Sequence, residues 1–192
     1  MRLFKIIICA ILFISFSTTH AFETRDERNR MYLGLNAGSY QDIDINDDNT
    51  LGGTIQLGYD LHKFFAIETH LGLTYTSFEQ TEGATNISAS SLISHASVYL
   101  RGNARFDTFT LFAVGGYTYL RSDAEFEVNP PTPPFESYDD TETDSDISYG
   151  GGIDLYGNAT TAVTFKWMRV IDLGDEGELD AWYIGVTHYL DN

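Results

Sequence analysis

The sequence predicts an all-β protein that folds as an eight-stranded antiparallel up-and-down transmembrane β-barrel. Eight segments alternate between apolar and polar residues, which is the pattern of strands with two different faces. The connections between these segments are alternately long and short, as is typical of barrels that span a membrane. After the N-terminus no apolar run is long enough for a spanning helix, so a closed barrel is the structure that would satisfy the backbone in lipid.

The N-terminus has the pattern of a secretory signal peptide. Arg2 and Lys5 provide a positive start, and the apolar run Ile6–Phe16 follows. This run is shorter than the roughly 20 residues that a spanning helix needs. Small residues then occupy the positions that a signal peptidase reads, ending at Ala21. We therefore expect residues 1–21 to be an export signal that is cleaved from the chain.

The remaining residues, 22–192, are expected to form the barrel domain. The single cysteine, Cys9, lies in the signal peptide, so neither disulfides nor thiol chemistry are expected in the barrel. The whole chain has 11 Lys and Arg against 28 Asp and Glu, a net charge of −17. Such an acidic chain is not expected to bind nucleic acid or another polyanion.

The predicted strands each have about the 9–11 residues that a tilted strand needs to cross a membrane. Their ranges are Arg30–Tyr40, Thr50–Tyr59, Phe64–Ser77, Ser90–Arg101, Phe109–Arg121, Ile147–Tyr156, Ala162–Val170 and Ala181–Leu190.

The final hairpin indicates which face of the sheet lies outside. In its first arm Val163, Phe165 and Trp167 form an apolar face, and Thr164 and Lys166 lie on the opposite face. Across the central strands the charged residues also fall on the polar face. They are Glu68, Arg101, Asp154 and Lys166. A soluble barrel would have an apolar interior and a polar exterior, so this pattern predicts that the apolar face contacts lipid and the polar face lines the lumen.

The strand Phe109–Arg121 is the one whose facing the pattern leaves open. We favour an assignment in which Phe112, Val114 and Leu120 point outward and Tyr117, Tyr119 and Arg121 point inward.

The four long connections are expected to be acidic loops that lie together on the external side of the barrel. They are Gln41–Asn49, Phe78–Ala89, Ser122–Asp146 and Ile171–Asp180, and between them they contain 20 of the 28 acidic residues. Mutual repulsion should keep such loops extended and solvated. Divalent cations are expected to bind this rim loosely.

One segment of the rim partly matches a calcium-binding loop. Asp42, Asp44 and Asn46 have the spacing of its first ligands, but Asp47 replaces the required glycine and Gly53 stands where the final glutamate belongs. We therefore expect no EF-hand-type metal site.

The lumen of an eight-stranded barrel is too narrow for an open pore, so side chains should fill it. A lone buried charge is costly, and the lumen charges should therefore pair with each other. The short turn after Tyr156 suggests that Asp154 pairs with Lys166. The predicted site is thus a structural charge network that consists of Glu68, His70, His95, Arg101, Asp154 and Lys166. A small channel is the alternative for these residues.

His95 and Ser97, with Glu68 and His70 on the neighbouring strand, also supply the residue types of a nucleophile, a base and an orienting group. A lipid-modifying enzyme would need this group to be reachable from lipid. Since His95 and Ser97 share the face of Arg101, they should point into the lumen. We therefore expect a hydrogen-bond network there, with no enzymatic activity and no cofactor.

The chain resembles the small eight-stranded outer-membrane barrels of the OmpA and OmpX type. The residues that carry this resemblance run along the whole barrel region: YLGLNAG, LGYDLHKFFAIETHLGLTY, LFAVGGYTYL, ISYGGGIDLYGNATTAVTFKW and WYIGVTHYL. The resemblance implies a monomeric barrel in the outer membrane of a Gram-negative envelope, in contact with outer-membrane lipid and lipopolysaccharide. It also implies a structural or surface-interaction role.

Overall fold

A computed structural model describes residues 30–42, 50–82, 85–129, 136–172 and 178–190. These residues form a closed barrel in which every strand is antiparallel to its sequence neighbours and β1 also pairs with β8. The predicted eight-stranded up-and-down fold is confirmed. The strands are β1 Met31–Asp42, β2 Thr50–His62, β3 Phe65–Glu82, β4 Thr85–Arg105, β5 Phe109–Asn129, β6 Glu136–Tyr156, β7 Thr161–Asp172 and β8 Glu178–Tyr189.

Three short turns define one end of the barrel, which we call the turn end; the opposite end is the far end. The turns join β2 to β3, β4 to β5 and β6 to β7. Closure between the first and last strands places Tyr32 opposite Tyr189 and Leu35 opposite Val186. The described part of the chain contains no helix that is long and apolar enough to cross a membrane.

The two faces of the barrel have opposite polarity, as predicted. On the outside Leu73 is 58% exposed and Trp182 is 65% exposed. On the inside Glu68 and Arg101 are each 1% exposed, and Lys166 is 3% exposed. A surface that turns its large apolar side chains outward fits hydrocarbon rather than water.

Aromatic residues mark two belts on the outer surface. On β3, Phe65 near the turn end and Tyr75 toward the far end are both exposed. The nine residues between them match the 9–11 residues that a tilted strand needs to cross the hydrocarbon region. Aromatic side chains favour membrane–water interfaces, so the two belts set the boundaries of the spanning segment.

The facing that we favoured for β5 is wrong. Phe112, Val114 and Leu120 are buried in the lumen, whereas Tyr117, Tyr119 and Arg121 are exposed on the outside. The inward assignment of Phe112 has a packing reason. A Cβ atom built on Gly152 of the adjacent strand would lie 2.7 Å from Phe112 Cζ, so the ring occupies space that the glycine leaves open.

Two of the expected long loops are largely strand. β3 and β4 pair through the range 78–89 as far as Glu82 and Thr85, and β5 and β6 pair through the range 122–146 as far as Val128 and Glu136. Since β4 also pairs with β5 out to Asn129, the four strands continue as one sheet beyond the barrel. We call the part of β3, β4, β5 and β6 that lies beyond the last residue pairs with β2 and β7 the sheet extension.

The other long connections lie partly outside the described residues. β1 reaches Asp42, β7 reaches Asp172 and β8 begins at Glu178. The calcium-loop-like segment after Asp42 and the signal peptide are also outside the described residues.

Candidate functional site

Arg101 on β4 is buried in the lumen and bonds to carboxylates on two other strands, β3 and β6. Its Nη1 donates to Glu68 Oε1 at 2.7 Å, and its Nη2 donates to Asp154 Oδ2 at 2.5 Å. Its Nε donates to Asn103 at 2.7 Å, and the guanidinium stacks over the Phe112 ring at 3.8 Å. A single cation thus ties β3 to β6 across the barrel through charge-assisted bonds.

Glu68 on β3 is the most heavily bonded carboxylate of the lumen. Besides Arg101, its Oε1 accepts from Tyr32 Oη at 2.6 Å and from Gln56 Nε2 at 2.9 Å, while Oε2 lies 2.9 Å from His70 Nε2. Such complete satisfaction is what allows a charged group to be buried.

Asp154 does not lie opposite Lys166, and the expected pairing of these two residues is wrong. The strand register places Thr164 opposite Asp154, and its hydroxyl donates to Asp154 Oδ1 at 2.7 Å. Lys166 Nζ instead donates to Gln56 Oε1 at 2.9 Å and lies 5.1 Å from the Tyr183 ring centroid. Gln56 therefore links Lys166 to Glu68.

A layer of hydroxyl groups lies beside the charges. Thr118 Oγ1 lies 2.7 Å from Ser97 Oγ and 2.8 Å from Ser148 Oγ, and Ser148 in turn donates to Tyr99 Oη at 2.8 Å. His95 is buried in the lumen near these groups, packed over Gly72. Ser97 is thus held in a buried hydroxyl cluster rather than presented to lipid.

The far end of the lumen is filled by apolar and tyrosine side chains. Tyr183 donates to Tyr40 at 2.9 Å, with the two rings edge to face. The buried residues packed around this pair include Leu120, Met168, Val170, Ile171, Leu179 and Ala181. These residues form one buried hydrophobic cluster inside the barrel.

The sheet extension has a contrasting surface. On β6 the residues Asp140, Glu142, Asp144 and Asp146 alternate along one face, which continues toward the lumen-facing side of the barrel. The sequence contains no Lys or Arg between residues 122 and 165, so β6 itself has no base to neutralise these acids.

The nearest base to this acidic strand is Arg121 on β5. Its guanidinium bonds both carboxylate oxygens of the exposed Asp123 at 3.0 and 3.1 Å. These hydrogen bonds, together with one from Thr141, lower the pKa of Asp123 below its usual value. Arg121 is therefore already engaged, and no base among the described residues is seen to bond to Asp140, Glu142, Asp144 or Asp146. Among the described residues no group of three or more His, Cys, Asp or Glu is placed to hold a metal ion.

Several residues that build the lumen are uncharged and were not among the predicted site residues. Tyr32 and Gln56 both donate to Glu68, and Phe112 stacks on Arg101. Tyr32 and Gln56 lie on the polar faces of their strands, and this position in the alternation pattern indicates that they point into the lumen. The pattern gives no such indication for Phe112.

Together, the apolar exterior, the exposed aromatic side chains and the polar lumen define a small integral membrane β-barrel. Residues 9–188 match the family described as outer membrane protein beta-barrel domain, and the chain belongs to this family. The protein is therefore located in the cell outer membrane. A comparison with curated proteins finds no match.

Two solved structures with a similar fold are outer-membrane proteins of low sequence identity. OprG from Pseudomonas aeruginosa is 8% identical with a TM-score of 0.61, and the match covers 86% of this chain and 98% of that one. Ail, the attachment invasion locus protein of Yersinia pestis, in complex with the heparin analogue sucrose octasulfate, is 12% identical with a TM-score of 0.57. That match covers 84% of this chain and 97% of Ail. These similarities show the fold.

Proposed function

We propose that this outer-membrane barrel has a non-conducting lumen and a structural or surface-interaction role, carried by the acidic sheet extension. Two sets of lumen contacts support this proposal: Arg101 bridges Glu68 and Asp154, and Tyr183 bonds to Tyr40. If these side chains block the lumen, the exposed sheet is the described part that would meet other molecules.

We further propose that the turn end faces the periplasm and the far end faces outside, in a monomer exported by residues 1–21. Outer-membrane barrels have short periplasmic turns and longer external connections, which supports this orientation. Lipid and lipopolysaccharide would surround the apolar band. Divalent cations would associate with the carboxylates of the extension as loosely held counter-ions.

The chemistry of the extension favours cationic partners. Ail, a protein of the same fold, was crystallised with sucrose octasulfate, a polyanion. The acids of β6 would repel such a ligand, so we do not extend polyanion binding to this chain. A catalytic role for His95 and Ser97 is also not proposed, because both are buried in the lumen and Ser97 lies within the hydroxyl cluster.

Planar-bilayer recording tests the non-conducting lumen. Purified barrel, shown to be folded by its altered gel migration without boiling, should give no channel openings above those of protein-free bilayers. Openings that disappear when Lys166 is changed to Met would overturn the proposal, because they would show a water path along the lumen charges.

Whole-cell labelling tests the exposed extension. A cysteine introduced at Ser137, in the far half of β6, should react with a membrane-impermeant maleimide on intact cells. One introduced at Asn158, in the turn between β6 and β7, should react only after lysis. The reverse result would contradict the proposed orientation.

A further inference from the structure

A long groove crosses the outer surface of the barrel. It has a volume of about 1030 Å³ and runs from β8 through β1, β2, β3 and β4 to β5. Leu71, Leu73 and Tyr119 line it and are each more than half exposed, so the groove lies on the outside of the barrel. The strand register aligns the outward residues along its edge nearer the far end: Ile184, Ala37, Gly53, Leu73, Ser94 and Arg121.

Small outward residues create this groove. Ala37, Gly53, Ser94 and Ala96 occupy positions where a membrane barrel ordinarily presents larger apolar side chains to lipid. Larger side chains such as Ile55 stand beside them. A hydrocarbon chain that fills such a groove gains the dispersion contacts that an empty space would forfeit.

The two ends of the groove differ in chemistry. At the β8 end Ile184 and Val186 are apolar. At the β5 end Ser94, Tyr119 and Arg121 supply polar groups. A molecule that fits the groove is therefore apolar along most of its length and polar at one end.

The length and slope of the groove match one leaflet of a membrane. Neighbouring strands are about 4.8 Å apart, so the steps from β8 round to β5 span about 24 Å. A line at right angles to strands tilted by about 35–45° rises by about 15 Å along the barrel axis over this span. About 15 Å is half of the roughly 30 Å hydrocarbon core.

The groove rises toward the far end at β5. Ile184 lies five residues from Tyr189, the turn-end residue of β8. Arg121 lies twelve residues from Phe109, the turn-end residue of β5. The apolar end of the groove is therefore deeper in the membrane, and its polar end reaches the interface at the far end.

An ion pair occupies the polar end. Arg121 donates from Nε and Nη2 to Asp123 at 2.9 to 3.1 Å, and among the described residues its Nη1 has no acceptor. Both side chains are accessible from outside. A guanidinium binds phosphate, and a carboxylate binds ammonium, through charge-assisted hydrogen bonds. The pair thus complements a headgroup that contains both charges.

The surrounding charges favour a zwitterionic headgroup over an anionic one. The outward face of β5 continues with Glu125 and Glu127, and the sequence has no Lys or Arg between residues 122 and 165. These acids would repel a lipid with net negative charge. A primary ammonium can donate hydrogen bonds to Asp123, whereas the quaternary ammonium of choline has no N–H to donate.

We propose that this groove binds one phospholipid with a phosphoethanolamine headgroup. The phosphate bonds to Arg121 and the ammonium to Asp123, while one acyl chain follows the groove down to Ile184. This site differs from the general lipid contact of the apolar surface, because it retains a single molecule of defined headgroup. The inference does not depend on the proposed non-conducting lumen or on the surface-interaction role.

Native mass spectrometry of the folded barrel in detergent tests the site. The probes are phosphatidylethanolamine, phosphatidylcholine and phosphatidylglycerol, all with two palmitoyl chains, and lipid A is the fourth. We expect one phosphatidylethanolamine per barrel, bound about fivefold more tightly than phosphatidylcholine. Phosphatidylglycerol and lipid A should bind more weakly still. Each variant is first shown to be folded by its altered gel migration without boiling.

Filling the groove locates the acyl chain. Ala37→Leu together with Ala96→Leu should weaken the binding of phosphatidylethanolamine by about tenfold, because the added side chains occupy its path. The matched control is Ala104→Leu together with Ala113→Leu. Both of these alanines face outward but do not line the groove, so binding should be unchanged.

The headgroup contacts are tested separately. Arg121→Met should weaken the binding of phosphatidylethanolamine and phosphatidylcholine alike by about tenfold, because both contain the phosphate. Asp123→Asn should remove the preference for ethanolamine over choline. Arg169→Met is the control, because this arginine pairs with Asp180 on the far side of the barrel from the headgroup site and should not affect binding.

Other outcomes overturn the inference. Equal binding of all phospholipids, or equal losses in the alanine control, would show only general contact between lipid and the apolar surface. Tighter binding of lipid A would assign the groove to lipopolysaccharide. A dimer without retained lipid, abolished by the groove-filling substitutions, would assign it to a second copy of the chain. None of these results would alter the proposed function, which conductance and labelling test.

Discussion

Asp154 and Asp144 are ten residues apart on β6, and their side chains lie on the same face of the strand. They differ in burial and in their hydrogen-bond partners. Asp154 is fully buried and bonded to Arg101 and Thr164. Asp144 accepts a bond from the backbone N–H of Ser145, its chain neighbour, and no base lies on its strand beyond the barrel.

The difference shows that one strand can serve two purposes. Asp154 is buried inside the barrel, so its carboxylate is stable there only with bases and hydroxyls around it. Asp140 and Glu142 in the sheet extension are exposed, and an exposed carboxylate needs no partner. Stability should therefore depend on the first group of acids, and contact with other molecules on the second.

Replacement of Arg101 should lower the free energy of unfolding of the barrel more than the other substitutions proposed below. Arg101→Met leaves Glu68 and Asp154 buried without their cation, a change that costs about 3–5 kcal/mol. The free energy of unfolding would be measured with urea on barrels reconstituted in lipid vesicles, followed by the fluorescence of Trp167 and Trp182.

The matched control is Arg121→Met, which breaks the exposed pair with Asp123 and should leave the unfolding free energy unchanged within error. Combining Arg101→Met with Glu68→Gln and Asp154→Asn should recover part of the loss. An equal effect of the two arginine changes would contradict the distinction between lumen and extension.

A second prediction concerns packing inside the lumen wall. A Cβ atom on Gly152 would collide with the Phe165 carbonyl oxygen and lie 2.7 Å from Phe112 Cζ. We expect Gly152→Ala to lower the unfolding free energy by about 1–3 kcal/mol. At Gly115, by contrast, a Cβ atom would have no neighbour within 4 Å, so Gly115→Ala should be tolerated. Similar losses at both positions would show that the lumen is not closely packed beside Phe112.

Much of the barrel could be predicted because membrane strands have one apolar and one polar face. The strand order, the outward residues of the final hairpin and the inward position of Glu68 all follow from that alternation. The same alternation gave the wrong facing for β5, because tyrosine is amphipathic. Tyr117 and Tyr119 fit a membrane interface as well as a polar lumen.

The sheet extension could not be recognised from alternation. A strand with water on both faces has no apolar side, so ESYDDTETDSD has the composition of a loop although it forms a ladder with β5. Which side chains pair within the lumen depends on the register between neighbouring strands. A shift of two residues decides whether Asp154 meets Lys166 or Thr164, and the sequence does not define register that finely.

A third prediction tests the acids of the extension directly. Neutralising Asp140, Glu142, Asp144 and Asp146 together should leave the unfolding free energy of the barrel unchanged, unlike changes at Arg101. At low ionic strength, amide hydrogen exchange between Glu136 and Ser148 should slow by about two- to threefold, the scale of repulsion between like charges about 7 Å apart in water. Destabilisation of the whole barrel by these substitutions would show that the extension contributes to its stability.

The smallest expected effect is that of cations on the same strand. Sodium chloride should slow exchange in Glu136–Ser148 as the Debye length falls to about 8 Å at physiological ionic strength. Calcium at matched ionic strength should slow it further, because a divalent counter-ion screens and bridges neighbouring carboxylates, and chelator should reverse the effect. Protease nicking within residues 122–146 should follow the same order. Exchange at Glu68 and Arg101, whose charges are paired inside the lumen, should respond to neither salt. Equal effects of calcium and sodium at matched ionic strength would show that salt only screens the acids of the extension. The proposed loose association with divalent cations would then be wrong.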